Sequence, residues 1–369
     1  MSETMLAAVL PESGHPLVIE RVPVPRPRLG EVLVQVAACG VCHTDLHVIK
    51  GEVAFPTPAV LGHEISGTVV ALGEGVDTPA VGTRVVGTFI MPCGACRHCH
   101  VGRDDLCERF FSMNRLAGTL YDGETRLFRE DGSALAMYSM GGLAEYAVVP
   151  VTAVYPLPAS VPFEEAAVIG CAGMTAFGAV RNAAELRGGE RVVVVAIGGI
   201  GSQVVQIARA LGAVQVVAVD VGAAKLDAAR ALGATDLVDA SEGDPVAAVH
   251  EITGGGADIA FEALGLEQTF VQAVEMLRDG GRMVAVGIAP VGMRAPIEIT
   301  RIVRRSIHIV GSYGSRVRSD VPRLLSLVEA GLLTPTASVT RRYALEEAPE
   351  AYAALDRREI VGRAIVTTG

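Results

Sequence analysis

Seven cysteines occur in the 369 residues. Cys93, Cys96, Cys99 and Cys107 follow C-x2-C-x2-C-x7-C. Four thiolates this close in sequence can wrap around Zn2+ at about 2.3 Å and leave no open position, which makes a closed structural site. His98 and His100 stand among them as alternative ligands. A four-thiolate iron–sulfur cluster is a rival, and a zinc ribbon binding nucleic acid is a second. Two-residue gaps suit a metal better than a disulfide framework in a large intracellular protein. Other metal-ligating residues are dispersed. One segment runs Gly40-Val41-Cys42-His43-Thr44-Asp45-Leu46-His47, and another Gly62-His63-Glu64-Ile65-Ser66-Gly67. Cys171 follows Ile169-Gly170. Taken one at a time, a lone cysteine is usually a small core residue and a lone histidine a satisfied one.

A second chemistry is written around residue 200. A buried-strand run, Arg191 to Ile197, leads into Ala196-Ile197-Gly198-Gly199-Ile200-Gly201, and a helix follows. Asp220 stands nineteen residues after Gly201, at the end of the next strand run. Missing side chains let backbone amides approach a pyrophosphate at a helix N-terminus, and the carboxylate accepts from the adenosine ribose. A 2′-phosphate would be repelled by Asp220, and Val221 and Gly222 follow it rather than Arg, so NAD is favoured over NADP. Ala196 replaces the usual first glycine, which the turn tolerates if φ there stays negative.

These groups need elements to carry them. Before residue 150, short Val-rich runs at 32–37, 65–72 and 83–88 read as strands, and 118–142 reads as a polar loop. Beyond residue 175, apolar strand runs at 191–197, 215–220, 258–262, 283–288 and 307–310 alternate with helical patterns at 202–211 and 223–232. That alternation implies a parallel sheet covered on both faces, hence an α/β fold. A helix at 321–331 and a strand at 363–367 form a tail expected to pack back on the N-terminal part. Half the residues are apolar, and 31 Lys and Arg face 41 Asp and Glu for a net charge of −10. Such a balance opposes nucleic-acid and anionic-membrane partners. No apolar run is long enough to span a bilayer, so a cytoplasmic protein is expected.

Together the motifs resemble the zinc-dependent medium-chain alcohol dehydrogenases, over essentially the whole chain. G-H-E-x2-G-x5-G-x2-V is met in full from Gly62 to Val76. The Gly-Val-Cys segment, the four-cysteine lobe, the Gly-Cys-Ala-Gly segment and the Gly-rich turn follow in the family's order. The resemblance implies a GroES-like β-rich catalytic domain at 1–172 and 313–369, with the zinc lobe at 93–107. A Rossmann NAD-binding domain at 173–312 interrupts it. It implies two zinc ions per chain. Cys42, His63 and Cys171 would hold the catalytic one, and Cys93, Cys96, Cys99 and Cys107 the structural one. Glu64 would lie near the catalytic metal and ligate it transiently, and Asp45 would orient the site from behind. Thr44 would bind the substrate oxygen, and His47 would pass its proton to solvent. His43 and Arg363 would contact the cofactor pyrophosphate. Gly198, Gly199, Ile200, Gly201, Asp220, Lys225 and Ile288 complete the cofactor set. Phe89, Met137 and Tyr138, with Ile288, would line the pocket.

The implied reaction is reversible oxidation of a primary alcohol, aromatic or allylic, by NAD to the aldehyde. The implied partners are the small alcohol or aldehyde and further copies of the chain, as a homodimer or homotetramer. A thiol-adduct formaldehyde dehydrogenase is the nearest alternative. In the glutathione-linked form an Arg stands four residues past the last lobe cysteine; here that residue is Phe111, with Arg109 and Arg115 close by. A non-catalytic NAD- and zinc-binding protein is the alternative of another class.

Overall fold

The computed structural model describes residues 3–334, 339–360 and 362–368. The chain forms two compact units: Met1–Met174, Arg316–Ala330 and Val339–Gly369 in one, Thr175–Ser315 and Gly331–Ser338 in the other. The short stretch Gly331–Thr334, expected with the catalytic domain, clusters with the second unit. The amide of Thr334 donates to Gln206 Oε1 there, at 3.1 Å.

The first unit is built on a seven-stranded sheet whose central strand is Glu31–Val41. All but two of its residues are buried, as a strand covered on both faces requires. Strand Ile65–Leu72 runs antiparallel to it, with Cys39 opposite Ile65. Strand Arg363–Thr367 flanks its other edge, with Ala364 opposite Val41. The C-terminal tail thus completes the N-terminal sheet. These registers decide which distant residues meet. Cys42 follows the end of the central strand, His63 and Glu64 precede the start of one neighbour, and Arg363 opens the other. A smaller five-stranded sheet includes Leu127–Phe128 and Ala134–Met137, so part of the expected 118–142 loop is strand.

The second unit holds six parallel strands. Numbered along the chain, they lie in the order 3-2-1-4-5-6, the doubly wound dinucleotide arrangement. Strand order reverses between Arg191–Val195 and Ala257–Glu262, the place where such sheets bind ligands. Val193, Val195, Val217, Val219, Ala260 and Met283 form its core. The strand expected at 283–288 begins earlier, at Leu277. Helices Pro245–Thr253 and Glu267–Glu275 complete the alternation. Among the described residues, no single helix is long and apolar enough to cross a membrane.

Candidate active site

Cys42, His63, Glu64 and Cys171 offer ligand atoms that all lie within 4.8 Å of one another. The cluster is buried. Cys42 stands immediately before the short helix His43–Ile49, and Cys171 sits between a tight turn and the helix Ala172–Gly178. His63 Nδ1 donates to Asp45 Oδ1 at 3.0 Å, which turns Nε2 toward the cluster. That nitrogen is buried without a hydrogen-bond partner, next to two thiols. A buried ring nitrogen without a partner costs free energy, and once His63 gives up its proton the Nε2 lone pair is free for a metal ion. Two thiolates and one imidazole suit zinc, with a fourth position left over.

Electrostatics support the same arrangement. The Cys42 thiol is held well below its usual range, mainly because Cys171 donates to it; burial opposes this, and the nearby His63 cation assists. Cys171 is correspondingly pushed up, by that hydrogen bond and by burial. Burial pulls His63 down, but Asp45 and Cys42 outweigh it and raise the imidazole to about 10. Glu64 is raised by burial, against the pull of Arg363. Gly40 makes this carboxylate's position possible: a Cβ there would fall 1.9 Å from Glu64 Oε2.

The other expected residues fall as follows. Thr44 Oγ1 lies 3.6 Å from Cys42 Sγ, beside the cluster. His47, one helical turn on, is half exposed and bonded through Nδ1 to Glu52. His43 is exposed. Arg363 was expected on the cofactor pyrophosphate, but its Nη2 spans both oxygens of Glu64 in a buried ion pair. Strand register sets this partnership, because Arg363 enters the sheet at the level of Cys42. Phe89 and Tyr138 present their rings edge-on to His63, at centroid distances of 6.1 and 6.2 Å. Met137 turns its sulfur instead onto the Arg126 amide, at 3.3 Å. The strand ends at Met137, and there the two adjacent side chains take different partners.

In the second unit, Gly198 caps the helix Gly199–Ala210, which starts with Ile200 and Gly201 in its first turn. A Cβ on Gly201 would meet the Ala196 carbonyl at 2.0 Å. Ala196 adopts φ +74°, so the turn does not keep the negative φ that would make a methyl there easy. The tight turn demands the left-handed region even of alanine. Asp220 is buried at the end of its strand, accepting from the Ile197 amide at 2.7 Å, the Val221 amide at 2.8 Å and Lys225 Nζ at 3.2 Å. Ile288 is largely exposed.

The second cysteine cluster draws together Cys93, Cys96, Cys99 and Cys107, without His98 or His100. Backbone amides support its sulfurs. Cys93 N and Phe110 N donate to Cys107 Sγ at 3.3 and 3.5 Å, and Ala95 N to Cys93 Sγ at 3.4 Å. Burial opposes ionisation of Cys96, yet amides of Cys99 and Glu108 bring it down to about 6. Arg318, from helix Val317–Glu329, binds the buried Asp104 carboxylate and the Cys99 carbonyl, fastening the lobe to the unit.

Two partnerships had no signal in the sequence. One is Arg363 with Glu64. The other is Tyr352, whose hydroxyl donates to Asp45 Oδ2 at 2.9 Å; its place on an apolar helical stripe reads as ordinary core.

Residues 28–159 match the family described as alcohol dehydrogenase GroES-like domain, and residues 199–330 match zinc-binding dehydrogenase. The chain is 36% identical over 352 residues to an NDMA-dependent alcohol dehydrogenase from Amycolatopsis methanolica, covering 94% of each. It is 32% identical to an alcohol dehydrogenase class-3 from Cereibacter sphaeroides, covering 98% of this chain and 99% of the relative. The crystal structure of benzyl alcohol dehydrogenase from Acinetobacter calcoaceticus superposes with a TM-score of 0.93 at 30% identity, over the full length of both chains.

Proposed function

The chain belongs to the zinc-dependent medium-chain alcohol dehydrogenases, and from that premise we propose that it oxidises a primary alcohol, aromatic or allylic, to the aldehyde with NAD. The observation that carries this reading is the buried Cys42–His63–Cys171 cluster with its unsatisfied imidazole nitrogen. When bound, zinc supplies the Lewis acidity that acidifies an alcohol hydroxyl, and the nicotinamide cofactor supplies the hydride acceptor. Cys42, His63 and Cys171 hold the metal, and Asp45 fixes the His63 tautomer. The lobe cysteines hold a second zinc that staples their loop. Arg363 offsets the Glu64 charge in a pocket that otherwise accumulates carboxylate and thiolate. Glu64, 3.9 Å from His63 Nε2, is close enough to ligate transiently.

Thr44 takes the substrate proton, and His47 carries it onward. The two are three residues apart on one helical face, and His47 meets solvent with Glu52 on its other side. The rings of Phe89 and Tyr138 beside His63 favour an unsaturated or aromatic substrate, and the likeness to a benzyl alcohol dehydrogenase agrees. Asp220 favours NAD, since its buried carboxylate would repel a 2′-phosphate. Within the second unit, Gly198 to Gly201 cradle the pyrophosphate, with Lys225 and Ile288 completing the cofactor contacts there. A homodimer or homotetramer suits the exposed edge strand His308–Gly311 of the second unit.

A panel of alcohols with NAD or NADP, followed by reduced-cofactor absorbance, tests the reading. Benzylic and allylic alcohols should turn over fastest, with NAD. Formaldehyde oxidation that requires a low-molecular-weight thiol would overturn the substrate assignment. Metal analysis should find two zinc ions per chain.

A further inference from the structure

Asp45 is fully buried and uses both carboxylate oxygens. Oδ1 accepts from His63 Nδ1 at 3.0 Å and from the Gly62 amide at 3.3 Å. Oδ2 accepts from the Tyr352 hydroxyl at 2.9 Å. Tyr352 comes from the helix Ala348–Asp356, whose buried stripe is Ala348, Ala351, Tyr352 and Leu355. That helix is tied at its end to the Cys42 helix by Lys50 and Asp356, at 2.7 Å. Resting on the zinc reading above, we infer that Tyr352 is a positioning residue for the metal centre. Its hydroxyl fixes the rotation of the Asp45 carboxylate, and Asp45 in turn fixes the ring orientation of His63.

The physical case has three parts. A carboxylate rotates about a broad, two-fold torsion, so donors on one oxygen leave its plane poorly defined. A donor on the second oxygen removes that freedom. Tyr352 is itself buried, so its hydroxyl is a fixed point. Phenylalanine would fill the same space, which makes the hydroxyl's duty polar rather than volumetric. Partners behind a metal-bound histidine govern how long the metal stays. The last helix therefore reaches back to stiffen a ligand more than 280 positions earlier in the chain.

The test uses the purified full-length protein carrying its zinc, and reads metal release to a chelating dye. Cys42→Ser identifies the kinetic phase that belongs to the dispersed centre, because that phase disappears. Y352F should accelerate this phase about tenfold and leave the lobe phase unchanged. In an Asp45→Asn background the same substitution should add nothing, because Tyr352 acts through Asp45. Leu355→Ala, on the same stripe but off Asp45, should leave the phase as it is. An unchanged rate in Y352F, an additive effect with D45N, or equal acceleration by L355A would overturn the inference. So would failure of Y352F to fold while L355A folds. If the wild-type protein releases zinc only from the lobe, the proposed function itself falls, a result distinct from all of these.

Discussion

The lobe cysteines fall within one stretch, 93–107, while Cys42, His63 and Cys171 are gathered from three parts of the chain. In the lobe, sulfurs are supported by amides of the same loop, and two of the four cysteines are partly exposed. In the dispersed cluster, sheet register brings the ligands together, and side chains from distant elements satisfy the polar groups: Asp45, Arg363 and Tyr352. The difference is one of what holds what. A loop of little regular structure needs its metal to stay folded, whereas a site assembled by a buried sheet exists before the metal arrives. The first contributes stability; the second can leave a coordination position to chemistry.

The sharpest way to break this comparison is Cys42→Ser. Turnover should fall by about three orders of magnitude or more, with NAD binding intact and one zinc retained. Normal turnover would remove the dispersed cluster from catalysis. Cys107→Ser attacks the other side. It should cost several kcal/mol of stability, on the order of a lost structural metal, measured by urea unfolding. If Cys42→Ser destabilises as much, the two clusters are not different in kind. Asp45→Asn should weaken the catalytic zinc about 10- to 100-fold in chelator competition and spare the lobe.

Protonation sharpens the contrast further. At neutral pH the metal-free dispersed centre keeps protons on His63, raised to about 10, and on Cys171, while Cys42 is already depressed. Zinc must displace the two held protons, so loading should release about two of them near pH 7. Affinity should therefore rise with pH as both groups titrate, His63 near 10 and Cys171 above the usual thiol range. Calorimetry in buffers of different ionisation heat checks this, and release of no protons would contradict the charge arrangement. The smallest effect is a control in neither cluster. Ala196→Gly relieves a left-handed alanine and should stabilise the second unit by roughly 1 kcal/mol, with zinc content unchanged.

Legibility in the sequence followed the same division. The lobe could be read directly, since its ligands are neighbours and its spacing alone specifies four thiolates. The valine-rich strands and the Gly-rich turn were equally plain, because a continuous apolar run and a glycine requirement are local. The helix Pro245–Thr253 was missed: its caps, Asp244 accepting from Val246 and left-handed Gly254, are local signals, but its mixed composition hid it. The early start of the strand at Leu277 was hidden by Asp279, Gly280 and Gly281, which read as a turn. Cys42, His63 and Cys171 were recognisable only in company, through the family's pattern.

What this sequence determined by itself was a closed four-cysteine knot, a dinucleotide turn and the inventory of ligands for a second metal. The tertiary structure alone decided who stands behind those ligands. Arg363 faces Glu64 because strand register set it there, Met137 meets the Arg126 amide while its neighbour Tyr138 meets His63, and Tyr352 reaches Asp45 across the fold. The reason is physical. Local spacing fixes what a few bonds of backbone can bring together, but hydrogen bonds between distant residues depend on packing that no local pattern records.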